Sequence, residues 1–228
     1  DGDGQMCPSL LKDFVGPIIS GDADYTKGNR FFDLEHINRM PKLRLIGNSI
    51  LSFMNKISSG YWNIFDPTNG YTAIHAEIIK KIAFNRVSNR YFFESDMLFR
   101  LNILKAVVID IPMDAKYGNE KSSLKISRVT GEFLVKHIKN FTKRIFYNYY
   151  LRDMSLASIE LPLGLVLMGF GACYGLVNWY LYSGSGQATP IGTVMISALS
   201  LLFGLQFVLA FLAYDIESVP RRVIHRKY

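Results

Sequence analysis

The chain has 228 residues, 49% of them hydrophobic and 20% charged, with a formal net charge of +7. That apolar content and a positive mean hydropathy exclude a disordered or wholly solvated chain, and two lone cysteines, Cys7 and Cys173, exclude a disulfide framework. No Asp, Glu, Lys, Arg or His occurs between Leu161 and Tyr214, so the chain is built for two solvents.

The elements follow in order. The opening DGDGQ, if extended, puts Asp1, Asp3 and Gln5 on one face, and two carboxylates with an amide oxygen suit a hard divalent cation. An isolated Asp-Gly turn would leave the same trace. CPSLLKDFVGPI has helical period with Pro8 near its start, and GDADYTKGNRFF is a turn followed by an extended segment. PKLRLIGNSILSFMNKISSG is an amphipathic helix that begins after Pro41 and closes at Gly60. FDPTNGYTAI is a turn before a β-prone segment, FFESDMLFRLNIL a helix, and AVVIDIP a short strand stopped by Pro112. Alternating helices and strands favour an α/β domain.

KISRVTGEFLVKHIKNFTKRIFYNYYLRD interleaves bases with Phe133, Leu134, Ile138, Phe141, Ile145 and Phe146 at helical spacing. Such a helix lies on an anionic lipid surface, and no nucleic-acid signature accompanies its charge. Two apolar runs follow, 159–182 and 191–214, joined by SGSGQATP. At about 1.5 Å per residue each can cross a hydrocarbon core of about 30 Å. Pro162 falls in the first turn of the first run, and Trp179, Tyr180 and Tyr182 close it as interfacial anchors. A buried soluble hairpin is the alternative, but soluble helices are not apolar on every face. Lys136, Lys139, Lys143, Arg144 and Arg152 precede the hairpin, and Arg221, Arg222, Arg226 and Lys227 follow it. The positive-inside rule makes both termini cytoplasmic. His36, His75, His137 and His225 are scattered and suggest no metal cluster.

In order, DGDGQ, GNR, DPTNGY, ESDMLFRL and YGNEKSSLK resemble the second half of a family-2 glycosyltransferase of GT-A (Rossmann-like) fold. The likeness is to the branch that makes polyprenyl-phosphate and dolichyl-phosphate sugars. It implies the C-terminal part of a GT-A domain over 1–128, an amphipathic interfacial segment over 129–157, a transmembrane hairpin over 158–216 and a basic tail over 217–228. It also implies that a nucleotide-binding half precedes Asp1, so the chain alone is expected neither to bind nucleotide tightly nor to turn over.

The resemblance implies residue roles. Asp1 and Asp3 match the motif that holds Mg²⁺ or Mn²⁺ against the donor diphosphate, with Gln5 in support. Arg30 matches a basic residue near the acceptor phosphate, with an ordinary surface arginine as the alternative. Asp66, with Asn69 and Gly70, matches the segment lining the sugar side of the cleft. Asp96 falls where family-2 enzymes carry an acidic base, although a helix N-terminus also favours a carboxylate there. Lys116, Lys121 and Ser122 stand near the branch's arginine and Gly-x-Ser-Lys-Leu segment, at altered spacing. The implied partners are a nucleotide-sugar donor, a polyprenyl-phosphate acceptor and the membrane, with a homo-oligomer compatible and nucleic acid excluded. A transferase acting on a hydroxyl acceptor and a non-catalytic membrane adaptor are the competing readings.

Overall fold

Helix α1 (Leu11–Ile19) ends at a turn in which Gly21 takes φ of +76° and the N–H groups of Asp22 and Ala23 bond the Pro17 carbonyl at 2.8 and 3.0 Å. That turn delivers strand β1 (Tyr25–Asn29), whose five residues are all buried. Lys27, Gly28 and Asn29 have low strand propensity; the strand persists because it is paired on both sides. The computed structural model describes residues 6–32, 42–113 and 126–227.

β1 is the centre of a three-stranded sheet. It runs antiparallel to β2 (Thr72–Ile74) and parallel to β3 (Val108–Pro112), with Lys27 opposite Thr72 on one side and Asp110 on the other. Around it lie α2 (Lys42–Ser59), the single turn α3 (Ala76–Ile79) and α4 (Phe93–Leu104). Tyr25, Tyr61, Ile64, Ile78, Leu98, Leu101 and Val108 form the core, and the Tyr61 hydroxyl donates to the Ala106 carbonyl at 2.6 Å. The described part of the domain is thus a mixed α/β unit, rich in helix.

This unit comprises Asp1–Phe146 with Ser218–Tyr228. The segment expected to be a basic tail therefore belongs to it. Val219 and Ile224 pack against the core, and the wholly buried Asp24 carboxylate accepts the N–H groups of Val107, Ile224 and His225 at 2.8 to 3.1 Å. His225 Nδ1 also lies 2.7 Å from Asp24, with its ring stacked on His75.

Helix α5 (Ile126–Phe146) runs where the basic amphipathic helix is expected and turns most of its apolar residues outward, toward the side a lipid surface would occupy. Its buried residues are His137, Asn140, Arg144 and Ile145, while Leu134, Val135, Ile138 and Phe146 are exposed beside Lys139 and Lys143. The partner helix α2 has the same polar inward face, with Ser52, Asn55, Ser58 and Ser59 buried and Ile46, Ile50 and Phe53 exposed. Hydrogen bonds explain the inward polar face. Arg144 donates to the Ile57 carbonyl at 2.7 Å, near the end of α2 where helical carbonyls lack intrahelical donors, and His137 Nδ1 lies 2.7 Å from Ser58 Oγ. Burial pulls the His137 imidazole down to about 4.

The second unit, Tyr147–Glu217, contains a π-helical turn (Tyr147–Arg152), α6 (Leu156–Ser185) and α7 (Ile191–Glu217). Both helices are long and apolar enough to cross a membrane, with mean hydropathies of 1.7 and 2.2, and only 22% and 11% of their most apolar windows are buried. That exposure argues against a soluble core hairpin and marks a membrane protein. Both outrun the expected spans. Helix α6 starts early, at Leu156, where the Ser155 N–H donates to Ser158 Oγ at 3.0 Å, so Pro162 sits in its second turn and not its first. Pro162 has no N–H for the Ser158 carbonyl; the Tyr150 hydroxyl donates to it at 2.9 Å. Small residues let the helices touch. A Cβ on Gly164 would meet the Gly204 carbonyl at 2.9 Å, and Ser197 Oγ donates to the Gly171 carbonyl at 2.7 Å.

Candidate active site

Alternation along β1 puts Tyr25, Lys27 and Asn29 on one face, and the parallel register with β3 brings Asp110 beside Lys27. The DPTNG turn closes over this face. Lys27 Nζ donates to the Asn69 carbonyl at 2.5 Å, Asn69 Oδ1 accepts the Tyr71 N–H at 2.9 Å, and Asn69 Nδ2 lies 2.9 Å from Met113 Sδ. A Cβ on Gly28 would come within 2.6 Å of both Met113 Sδ and Asn69 Nδ2, so a larger residue there would displace these two side chains.

Arg30, just past β1, forks onto Asp66 at the start of that turn. Its Nε is 2.7 Å from Oδ2, its Nη2 3.0 Å from Oδ1, its backbone N–H 3.2 Å from Oδ2, and its Nη2 also reaches Thr68 Oγ1 at 3.1 Å. Asp66 is 1% exposed, whereas the Arg30 side chain is 24% exposed. Two residues that the resemblance assigns to the site are thus joined, by the bidentate geometry that also suits phosphate.

Behind the pair is a charge cluster that the sequence motifs do not reveal. Asp110 Oδ2 accepts from Asn29 Nδ2 at 3.0 Å and the Phe65 N–H at 3.1 Å, while its Oδ1 is buried with no hydrogen-bond partner among the described residues. Burial pushes its carboxyl up to about 6, against the Phe65 bond and with the help of Asp66. Burial pulls the Lys27 ammonium down to about 8, opposed by Asp66, Glu94 and Asp110. Glu94 is raised, first by its own burial. The available signal for Lys27 and Asp110 was the pattern of a charged residue inside an otherwise buried strand, which goes against expected burial.

Asp96 is elsewhere in the network. It lies in the first turn of α4, buried, with its carboxylate accepting from the Ser88 N–H at 2.9 Å, Arg100 Nε at 3.0 Å and Asn140 Nδ2 at 3.0 Å. It braces α4, the preceding loop and α5. Glu94 is the acid of ESD that acts on Lys27, because residues two apart on a helix face different sides. Asp1, Asp3, Gln5, Lys116, Lys121 and Ser122 lie outside the described residues. Among the described residues no group of three acidic, His or Cys side chains could hold a metal.

The cluster sits toward the carboxyl ends of parallel strands β1 and β3, the edge at which open α/β sheets take ligands. It offers an arginine fork for an anion, a buried cation and carboxylates of shifted acidity.

No family model matches the chain. Over 131 residues it is 28% identical to an uncharacterized protein of Methanocaldococcus jannaschii, covering 58% of this chain and 54% of that one. Over 117 residues it is 26% identical to a UDP-N-acetylglucosamine–dolichyl-phosphate N-acetylglucosaminyltransferase of Methanococcus voltae, covering 51% of this chain and 46% of that one. The chain spans about half the length of the curated relatives it matches. At this identity the likeness points to the glycosyltransferase class and not to a substrate.

Proposed function

We propose that the protein is a membrane-bound, inverting family-2 glycosyltransferase of GT-A fold that moves a hexose from a nucleotide-sugar to a polyprenyl phosphate. The observation that carries this reading is the partly exposed Arg30 fork on Asp66 at the carboxyl edge of β1 and β3. Its context supports it: two apolar helices, and similarity to a transferase named for a dolichyl-phosphate acceptor.

In the reaction a phosphate oxygen attacks the anomeric carbon, a new C–O bond forms on one face as the bond to the nucleotide diphosphate breaks on the other, and the configuration inverts. A phosphate is already ionised at neutral pH, so it needs a cation to position it more than a base to deprotonate it. Arg30 supplies the cation, with Lys116, Lys121 and Ser122 as further donors, and Asp66 orients the sugar side. Asp96, occupied by three donors, suits the phosphate acceptor better than a hydroxyl acceptor that would require it as base. Asp1, Asp3 and Gln5 have the oxygen donors that Mg²⁺ or Mn²⁺ takes; the ion, when bound, offsets charge on the leaving diphosphate.

The outward residues of α2 and α5, Ile46, Ile50, Phe53, Leu134 and Ile138 beside Lys139 and Lys143, lie in the headgroup layer of the membrane. Residues 218–226 fold with the unit that precedes the hairpin, which supports both hairpin ends emerging on one side, and the flanking bases make that side cytoplasmic.

The test incubates membranes containing the full-length protein with radiolabelled UDP-N-acetylglucosamine, UDP-glucose or GDP-mannose, with and without Mn²⁺, and extracts lipid. Metal-dependent label in a mild-acid-labile lipid, lost in Asp3→Asn, is expected. Label confined to lipid-linked oligosaccharide or polymer would overturn the phosphate acceptor.

A further inference from the structure

Engaging Arg30 with a phosphate creates an electrostatic problem at Asp66. That buried carboxylate takes two side-chain bonds from the guanidinium. When the guanidinium turns to a ligand, the carboxylate keeps the Arg30 backbone N–H at 3.2 Å and the Thr68 hydroxyl at 3.4 Å, both neutral donors. A buried anion held only by neutral donors is costly.

A second cation is already in place. Lys27 is 0% exposed and donates to the Asn69 carbonyl, on the same turn that carries Asp66. It forms no ion pair among the described residues, yet Asp66 acts on it more strongly than Glu94 or Asp110 does. A buried lysine with one hydrogen bond is a poor device for stability alone, since an apolar side chain of similar volume would fill the space at less cost. Its place makes sense if the negative charge it faces is at times left without its other partner.

We propose that Lys27 is the stand-in counter-ion of Asp66: when Arg30 leaves the carboxylate for a ligand phosphate, Lys27 offsets the charge left behind and keeps the 66–70 turn seated. This rests on the phosphate-acceptor reading above. Lys27 is a positioning residue, acting through Asp66 and Arg30. The exchange asks for a side-chain swing of the partly exposed Arg30 and no backbone movement.

The experiment measures binding of farnesyl phosphate in detergent micelles to the full-length protein by titration calorimetry, with farnesol and inorganic phosphate as controls. Lys27→Met is expected to weaken farnesyl phosphate about tenfold, and Lys27→Met with Asp66→Asn to recover to within about threefold of wild type, because position 66 then carries no charge that competes with the phosphate for Arg30. A purely structural lysine would not be rescued by Asp66→Asn. Should Lys27→Met not fold, Asp66→Asn alone decides: the exchange requires tighter phosphate binding, because Arg30 is released. Unchanged affinity in Lys27→Met, no rescue in the double variant, or weaker binding in Asp66→Asn overturns the exchange while leaving the phosphate site standing. A folded wild type that does not distinguish farnesyl phosphate from farnesol overturns the phosphate reading itself, and the exchange with it.

Discussion

Asp66 and Asp96 are both buried carboxylates, 1% and 3% exposed, and each is held by an arginine with about a quarter or less of its side chain exposed. Their surroundings separate them. Asp96 is shared among three chain segments through Ser88, Arg100 and Asn140, so its bonds are the scaffold. Asp66 is held chiefly by Arg30, with the Thr68 hydroxyl at 3.4 Å, and is backed by Lys27 and Asp110, charges whose burial is costly. A buried ion pair by itself says little about function; what it joins says more.

The largest effect that would break this comparison is at Asp96. Asp96→Ala is expected to cost about 3 kcal/mol in denaturant unfolding of the full-length protein, since it strands a partly buried arginine and two other donors. A loss of activity with unchanged stability would instead return Asp96 to the role of base. Next is Arg30→Lys, which keeps the charge and loses the fork: lipid-linked sugar synthesis should fall about 100-fold with a stability change under about 1 kcal/mol. Equal losses in both would make Arg30 another brace.

The shifted acidities give a third contrast. With Asp110 raised to about 6, the folded state holds a proton that the unfolded state releases, so stability from this group falls as pH rises from about 4 through 6. With Lys27 lowered to about 8, its contribution is unfavourable below that pH and is relieved as pH rises above it toward 10.5. The charge cluster therefore costs most between about pH 6 and 8, and Asp110→Asn should stabilise the protein in that window. His137, lowered to about 4, has the opposite acid limb: stability falls as pH drops below about 6.5 and the unfolded imidazole gains its proton first. Thermal melts of Asp110→Asn and His137→Gln across this range separate the two. The smallest effect is at the outward face, where Phe53→Ser should change stability by no more than about 0.5 kcal/mol. A spin label on Ile50→Cys in vesicles should be more accessible to oxygen than to a water-soluble nickel chelate; the reverse would put that face in water.

Much of the fold is legible in the residues. The long uncharged runs require a nonpolar solvent, and the helical period of KLRLIGNSILSFMNKISS and the stop at Pro112 mark α2 and β3 where they occur. What the inward face of a helix binds is not legible in the same way. The period of α5 marks an amphipathic helix but not what its polar residues bind: Asn140, His137 and Arg144 point inward because Asp96, Ser58 and the Ile57 carbonyl wait there with unmet hydrogen-bonding capacity. Arg144, one of the bases counted toward the membrane flank, is spent inside the unit.

By itself, then, the amino-acid sequence determined the membrane hairpin, the order of elements and the candidacy of Arg30 and Asp66, because hydropathy, period and short motifs are local properties of a chain. Only the tertiary structure decided that those two residues meet, that Lys27 and Asp110 stand together behind them, and that residues 218–226 return to Asp24. Each depends on strand register or long-range packing, and a charge's role is set by which distant groups share its low-dielectric surroundings.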